Sequence, residues 1–226
     1  FYCTDATEVE FVDEKNVNII LFHGYGADAQ DLAPLSQMIV TKRECNWFFP
    51  QGPLDIPLGG YGVGKAWWPI PIDRYQAAGA TLDVSTEVPK GIEKLRSEFE
   101  KWLAIKKLDP KITFIGGFSQ GGMLALDLFY TFPTYFNSLG LLSSNLINKS
   151  YLKTLSTDQI KGKMAFLSHG QSDPVLPVNG ARALESFLTQ SGLKTKTTYF
   201  NGGHEIPPVV LSQLGVFLDH SFGQQQ

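Results

Sequence analysis

ITFIGGFSQGGM, residues 112–123, begins as a strand and ends as a helix, with one serine at the junction. Ile112, Thr113, Phe114 and Ile115 are β-branched or aromatic, the types that suit a pleated, buried surface. Beyond the turn, SQGGMLALDLFYTF carries helical spacing until Pro133 closes it. Glycine pairs flank Ser119 on both sides. Without Cβ atoms there, neighbouring backbone packs close and the serine is held in a strained turn, hydroxyl upward, beside the positive end of the following helix. Gly117-Phe118-Ser119-Gln120-Gly121 is a G-x-S-x-G pattern, weak alone in a chain with 22 glycines. The strand before it and the helix after it give it meaning.

The same alternation runs outward in both directions. NVNIILF, from Asn16, is nearly continuous apolar and stops at HGYGAD, as a strand buried on both faces would. Residues 31–40 have helical spacing through Leu32, Leu35 and Ile39, and NWFFP (46–50) is a short strand ended by proline. Val88, Ile92, Leu95, Phe99 and Leu103 fall on one face of an amphipathic helix. SLGLL, KMAFLSHG and KTKTTYF are strands; NGARALESFLTQSG and VVLSQLGVFLDH are helices. This order predicts an α/β fold, a mainly parallel sheet with helices on both faces and no separate cap domain. Residues 51–87, rich in Gly and Pro, form a long loop expected to wall a binding cleft.

The 226 residues suit a single domain, 1–226, with a large core. Net charge is −3 and the basic residues are scattered, which excludes an electrostatic footprint for nucleic acid. Cys3 and Cys45 have no CxxC spacing, so neither a disulfide framework nor a thiolate metal site is indicated. No apolar run approaches the roughly 20 residues that span a bilayer, so no integral membrane segment and a cytoplasmic location are expected. The first residue is Phe1 and not methionine, which leaves an upstream targeting segment open.

A serine hydroxyl is a poor nucleophile near neutrality and needs a histidine base oriented by an acid. In α/β hydrolases the chain order is serine, acid, histidine, which excludes His23. His169 precedes the best acid, and His220 lies in the closing helix. His204, in NGGHEIP after the last strand, remains. Among the later aspartates, Asp127 lies within the helix after the serine, Asp158 in a polar loop and Asp219 beyond His204. Asp173, in HGQSDPVLP just past the end of KMAFLS, comes from the neighbouring strand end. An oxyanion hole takes one N–H from the residue after the nucleophile and one from the loop after an earlier strand; Gln120 and Tyr25 occupy those positions.

GGYGVGKA (59–66) approaches the P-loop pattern, but it ends in alanine where Ser or Thr must hold magnesium, and it reads as a flexible glycine loop. No zinc-ligand spacing is present; His204 and Glu205 are adjacent, not four apart. WWPIP (67–71) packs the long loop or lines an apolar cleft beside Ser119 through Trp67, Trp68 and Ile70.

Taken together, HGYGAD, GFSQGG, HGQSDPVLP and GGHE resemble the carboxylesterase/phospholipase family of α/β hydrolases, which includes acyl-protein thioesterases and lysophospholipases. The resemblance runs from about Val17 to Leu218. It implies an α/β-hydrolase fold, Ser119, Asp173 and His204 as triad, and Tyr25 and Gln120 as backbone oxyanion donors. Ala27 intervenes before Asp28 where the family places its aspartate directly after HGxG, and WWPIP looks more like the esterase members than the protein thioesterases. The expected activity is cleavage of carboxylic esters, thioesters or lysophospholipids through an acyl-enzyme, without cofactor or metal. The expected partner is a small-molecule ester or acyl substrate, with a homodimer as the assembly to test for. The alternative is a ligand-binding sensor on the same scaffold.

Overall fold

A computed structural model describes residues 16–223; Cys3 lies outside them. Six strands form one parallel sheet in the order β2-β1-β5-β6-β7-β8. They are β1 (Val17–Phe22), β2 (Cys45–Phe48), β5 (Thr113–Phe118), β6 (Ser138–Leu142), β7 (Met164–Gly170) and β8 (Lys194–Phe200). Every pairing in the sheet is parallel, as predicted, so every strand ends at the same rim. The chain leaves β1 toward β2 and returns on the other side as β5. The crevice where such an order reverses is where open α/β sheets bind ligands.

Strand alternation divides the core in two. Ile20, Phe22, Ile115 and Leu167 point to one face and pack under α4 (Ile92–Lys106), α5 (Gln120–Thr131) and α7 (Val178–Gln190). Ile19, Leu21, Phe114 and Phe166 point to the other face, with Leu32 of α1 (Ala29–Leu32), Leu35 of α2 (Leu35–Met38) and Leu214 of α8 (Pro208–Gly223). A strand covered on both sides has no solvent face, which is why β1 reads as an unbroken apolar run. α5 runs through the middle of the molecule with eleven buried residues, from Gln120 to Tyr130.

Three expectations change. The helix over 31–40 is two short turns, because Pro34 has no N–H to continue the first. Val88 is 65% exposed and outside α4, which starts only after Pro89 and the left-handed Gly91. Residues 51–87 are ordered structure instead of a loop: β3 (Leu54–Pro57) and β4 (Val63–Ala66) form an antiparallel hairpin whose turn is the GGYG stretch, and α3 (Ile72–Ala78) follows. α6 (Lys149–Leu152) is a single turn after β6.

Candidate active site

The turn between β5 and α5 is strained. Ser119 has φ 54° and ψ −118°, a conformation that costs a side-chain-bearing residue about 1–3 kcal/mol. Its N–H donates to the Leu142 carbonyl at the end of β6 (2.9 Å), and its carbonyl accepts from the Gly122 and Met123 N–H groups (3.0 and 3.1 Å). The glycines give the turn its room. A Cβ on Gly121 would lie 2.1 Å from the Phe22 carbonyl oxygen, and one on Gly117 would lie 2.4 Å from the Gly121 carbonyl. The first turn of α5 is thereby pressed against the end of β1.

Asp173 follows β7 and His204 follows β8, and backbone bonds tie their loops together: Gln171 N–H to Phe200 O (2.9 Å) and Ser172 N–H to Gly202 O (3.0 Å). The two carboxylate oxygens of Asp173 are used separately. Oδ1 accepts from the Val175 and Leu176 N–H groups (2.8 and 2.9 Å), and Oδ2 lies 2.7 Å from His204 Nδ1. His204 Nε2 is 2.9 Å from Ser119 Oγ. The loop that carries His204 is held by the Ser143 hydroxyl, which donates to the Glu205 carbonyl (2.9 Å), and the Phe118 ring packs on the imidazole at 4.8 Å. An ionised carboxylate only accepts, so His204 Nδ1 carries the proton and Nε2 is left to accept from the serine hydroxyl. Burial works against the Asp173 carboxylate, but the His204 hydrogen bond and the Leu176 and Val175 N–H groups outweigh it and hold its pKa below the usual value.

The loop after β1 is shaped by the hairpin predicted as a loose wall. Gly26 N–H donates to Lys65 O (2.8 Å) and Lys65 N–H to Ala27 O (2.9 Å). β4 comes so close that a Cβ on Gly64 would lie 2.0 Å from the Gly26 carbonyl oxygen. The inserted Ala27 leaves Asp28 as helix cap: its carboxylate accepts from the Gln30 and Asp31 N–H groups while Asp31 reaches back to the Asp28 N–H. Tyr25 thus lies in a turn bonded on both flanks, and Gln120 opens α5, where the first N–H groups have no partner within the helix.

Trp67, expected to face substrate, is 2% exposed and supports the turn from within. Its indole N–H donates to the His23 carbonyl (2.8 Å) and its ring meets Phe22 edge-on. The Gln120 side chain grips the same segment, accepting from Trp67 N–H (3.0 Å) and donating to Trp68 O (2.8 Å). Trp68 is also core; with the half-buried Ile70 it borders a 410 Å³ recess beside Glu87, Val88 and Ile147, a lining that does not include Ser119. Periodicity does not reveal burial of two tryptophans in a Gly/Pro-rich stretch; the contacts that bury them come from β1 and α5.

Two of the histidines set aside in the sequence, His23 and His169, are buried. His23 Nδ1–H donates to Gly24 O (2.8 Å) and Nε2 accepts from Gly52 N–H (2.9 Å), and burial lowers its pKa. His169 lies beneath Asp173. His220 is exposed on α8. Asp127 is fully buried in a two-pronged pair with Arg96 (both contacts 2.7 Å), and Asn148 donates to it as well (3.1 Å). Among the described residues no group of three or more His, Cys, Asp or Glu side chains is placed to hold a metal, and no helix is long and apolar enough to cross a membrane. Cys45 is a free, half-buried thiol whose pKa burial pushes up.

A doubly covered parallel sheet, with a strained serine turn after β5 and a carboxylate and an imidazole carried by the loops after β7 and β8, is an α/β-hydrolase fold. The chain belongs to the phospholipase/carboxylesterase family, which matches residues 6–222, and is an enzyme of the carboxylesterase type of serine hydrolase. A probable carboxylesterase SOBER1-like protein of Arabidopsis thaliana is 26% identical over 88% of this chain and 77% of its own. An acyl-protein thioesterase 1 of Eremothecium gossypii is 29% identical over 88% and 85%. The crystal structure of Arabidopsis thaliana SOBER1 superposes with a TM-score of 0.74 at 20% identity, covering 91% of this chain and 99% of that one, a likeness of fold.

Proposed function

We propose that Ser119 is the nucleophile, His204 the general base and acid, and Asp173 the orienting acid of an ester and thioester hydrolase that works through an acyl-enzyme. The observation that supports this most is the single imidazole bridging Ser119 Oγ at 2.9 Å and Asp173 Oδ2 at 2.7 Å. Ser119 Oγ attacks the substrate carbonyl while its proton passes to His204 Nε2; the imidazolium returns that proton to the leaving alcohol or thiol. Water then repeats the sequence to release the acid. The Tyr25 and Gln120 N–H groups stabilise the oxyanion, each contributing about 3 kcal/mol to the transition state. No cofactor enters. Relatives named as carboxylesterases and as acyl-protein thioesterases make oxygen and sulfur esters the substrates to compare.

A fluorophosphonate should label Ser119, and p-nitrophenyl acetate should give a burst of p-nitrophenol. Ser119→Ala and His204→Ala should each lower kcat by about 10⁶, and the double variant should fall no further, because the two act as a unit. Labelling elsewhere, or a double variant far slower than either single, overturns the assignment. A chain-length series of p-nitrophenyl esters beside an acyl-thioester identifies the preferred substrate.

A further inference from the structure

We propose that His169 is a positioning residue for the active-site acid, bracing Asp173 through the Leu176 peptide as a neutral imidazole protonated on Nε2. The inference rests on the triad reading above. His169 lies at the carboxyl end of β7, four residues before Asp173, and is fully buried. Its Nε2 is 2.8 Å from the Leu176 carbonyl oxygen and 3.4 Å from Asp173 Oδ2, the same oxygen that faces His204 Nδ1 at 2.7 Å. Both neighbours of Nε2 only accept, so Nε2 carries the proton, which it donates to the Leu176 carbonyl, with Asp173 Oδ2 as an electrostatic neighbour of the same N–H. His169 Nδ1, buried and without a hydrogen-bond partner, is then the bare nitrogen.

The Leu176 contact is what links His169 to the acid's geometry. The Leu176 peptide is anchored twice: its N–H donates to Asp173 Oδ1, and its carbonyl accepts from His169. Asp173 therefore has two N–H groups on Oδ1 and His204 on Oδ2, and the Leu176 peptide that supplies one of them is fastened in turn by His169, whose Nε2 also lies 3.4 Å from Oδ2. Its carboxylate plane, and with it the aim of Oδ2 at His204, is set from behind as well as from in front. The charged and titratable groups acting on His169 are Asp173 and His204; burial, with His204, outweighs the pull of the Leu176 carbonyl, Asp173 and the Ser144 backbone and holds the imidazole's pKa below the usual value.

Two measurements test this. In uniformly ¹⁵N-histidine-labelled protein, long-range ¹H–¹⁵N correlations should show His169 as the neutral Nε2–H form at pH 7. An Nδ1–H form or an imidazolium overturns the proposal without any variant. Next, pH profiles of kcat/KM should be compared for wild type, His169→Phe, which keeps the ring volume but has no donor, and His169→Gln, whose amide nitrogen reaches near the Nε2 position. The Phe variant should lose about tenfold in kcat with KM unchanged within twofold. Its acid limb should move to higher pH, since Asp173, without the His169 N–H dipole 3.4 Å from Oδ2, favours protonated imidazole more strongly. The Gln variant should recover most of both effects. An unmoved acid limb in the Phe variant, or Phe and Gln variants that behave alike, overturns the proposal. Ser119→Ala in the same assay separates the two readings: if it stays active, the triad fails; if it is dead while the limb stays put, only His169 does.

Discussion

Ser119 can hold an unfavourable backbone conformation because Gly117, Gly121 and Gly122 let the strand end and the first turn of α5 pack closely around it. With φ at 54° and its own N–H and carbonyl both engaged, the residue cannot relax without detaching from β6 or from α5. Gly121→Ala tests how tightly this turn is built. The new methyl would meet the Phe22 carbonyl oxygen at 2.1 Å, so α5 must move away from β1. The expected result is a loss of stability of about 1–3 kcal/mol, together with a kcat loss larger than the KM change, because Ser119 and Gln120 ride on the displaced turn. Thermal unfolding and steady-state kinetics on one ester check both; a variant with wild-type kcat would show that the turn has slack. The glycine pattern was legible because strand, turn and helix are local properties of a dozen consecutive residues. The contact of His169 with Asp173 was not, since a buried imidazole four residues before an acid looks the same in sequence whether or not it touches it.

The elements are joined by polar fastenings as well as apolar packing. Arg96 of α4 holds Asp127 of α5, its guanidinium lies 3.8 Å from the centre of the Tyr151 ring in α6, and Asn148 completes the carboxylate's bonding. With Arg96 side chain 11% exposed and Asp127 1%, removing one partner leaves a charge with little water to solvate it. Asp127→Asn should therefore cost about 3–5 kcal/mol in denaturant unfolding, with kcat unchanged in the protein that remains folded. A cost under 1 kcal/mol would mean that Arg96 swings into solvent. Asp127 was placed in its helix from sequence, but its partner was not, because α4 and α5 meet through packing that spacing along the chain does not encode. The same reason hid the hairpin over β3 and β4. Its glycines resemble those of a loose loop; the pairing of β3 with β4 makes it a hairpin, and bonds between Lys65 and the turn after β1 dock it there.

For the whole molecule, the parallel sheet with helices on both faces was legible from alternation of elements, and so were the strand ends that carry Ser119, Asp173 and His204. The sheet order was not, since pairing partners far apart in sequence are chosen by the assembled core. That core imposes a pH dependence. His23 and His169 both have pKa values lowered by burial, so the folded chain keeps them neutral where the unfolded chain takes up protons, near pH 6.5. Their contribution is complete above that value and is lost as pH falls through it toward the folded values; Asp173, shifted down, loses its contribution only at more acid pH. The urea midpoint should be flat above about pH 7 and decline below about 6.5; a midpoint that rises between pH 7 and 5 would contradict this. One pair of rings reports on the protonation state of His23. The Trp67 indole lies 5.0 Å from the His23 imidazole, and an imidazolium takes an electron from an excited indole far more readily than a neutral ring does. Because the folded chain keeps His23 neutral, the emission of Trp67 should hold as pH falls and be quenched only when the fold opens; a quench that precedes unfolding would contradict this, so the loop beside the proposed oxyanion donors carries an optical reporter built into the fold.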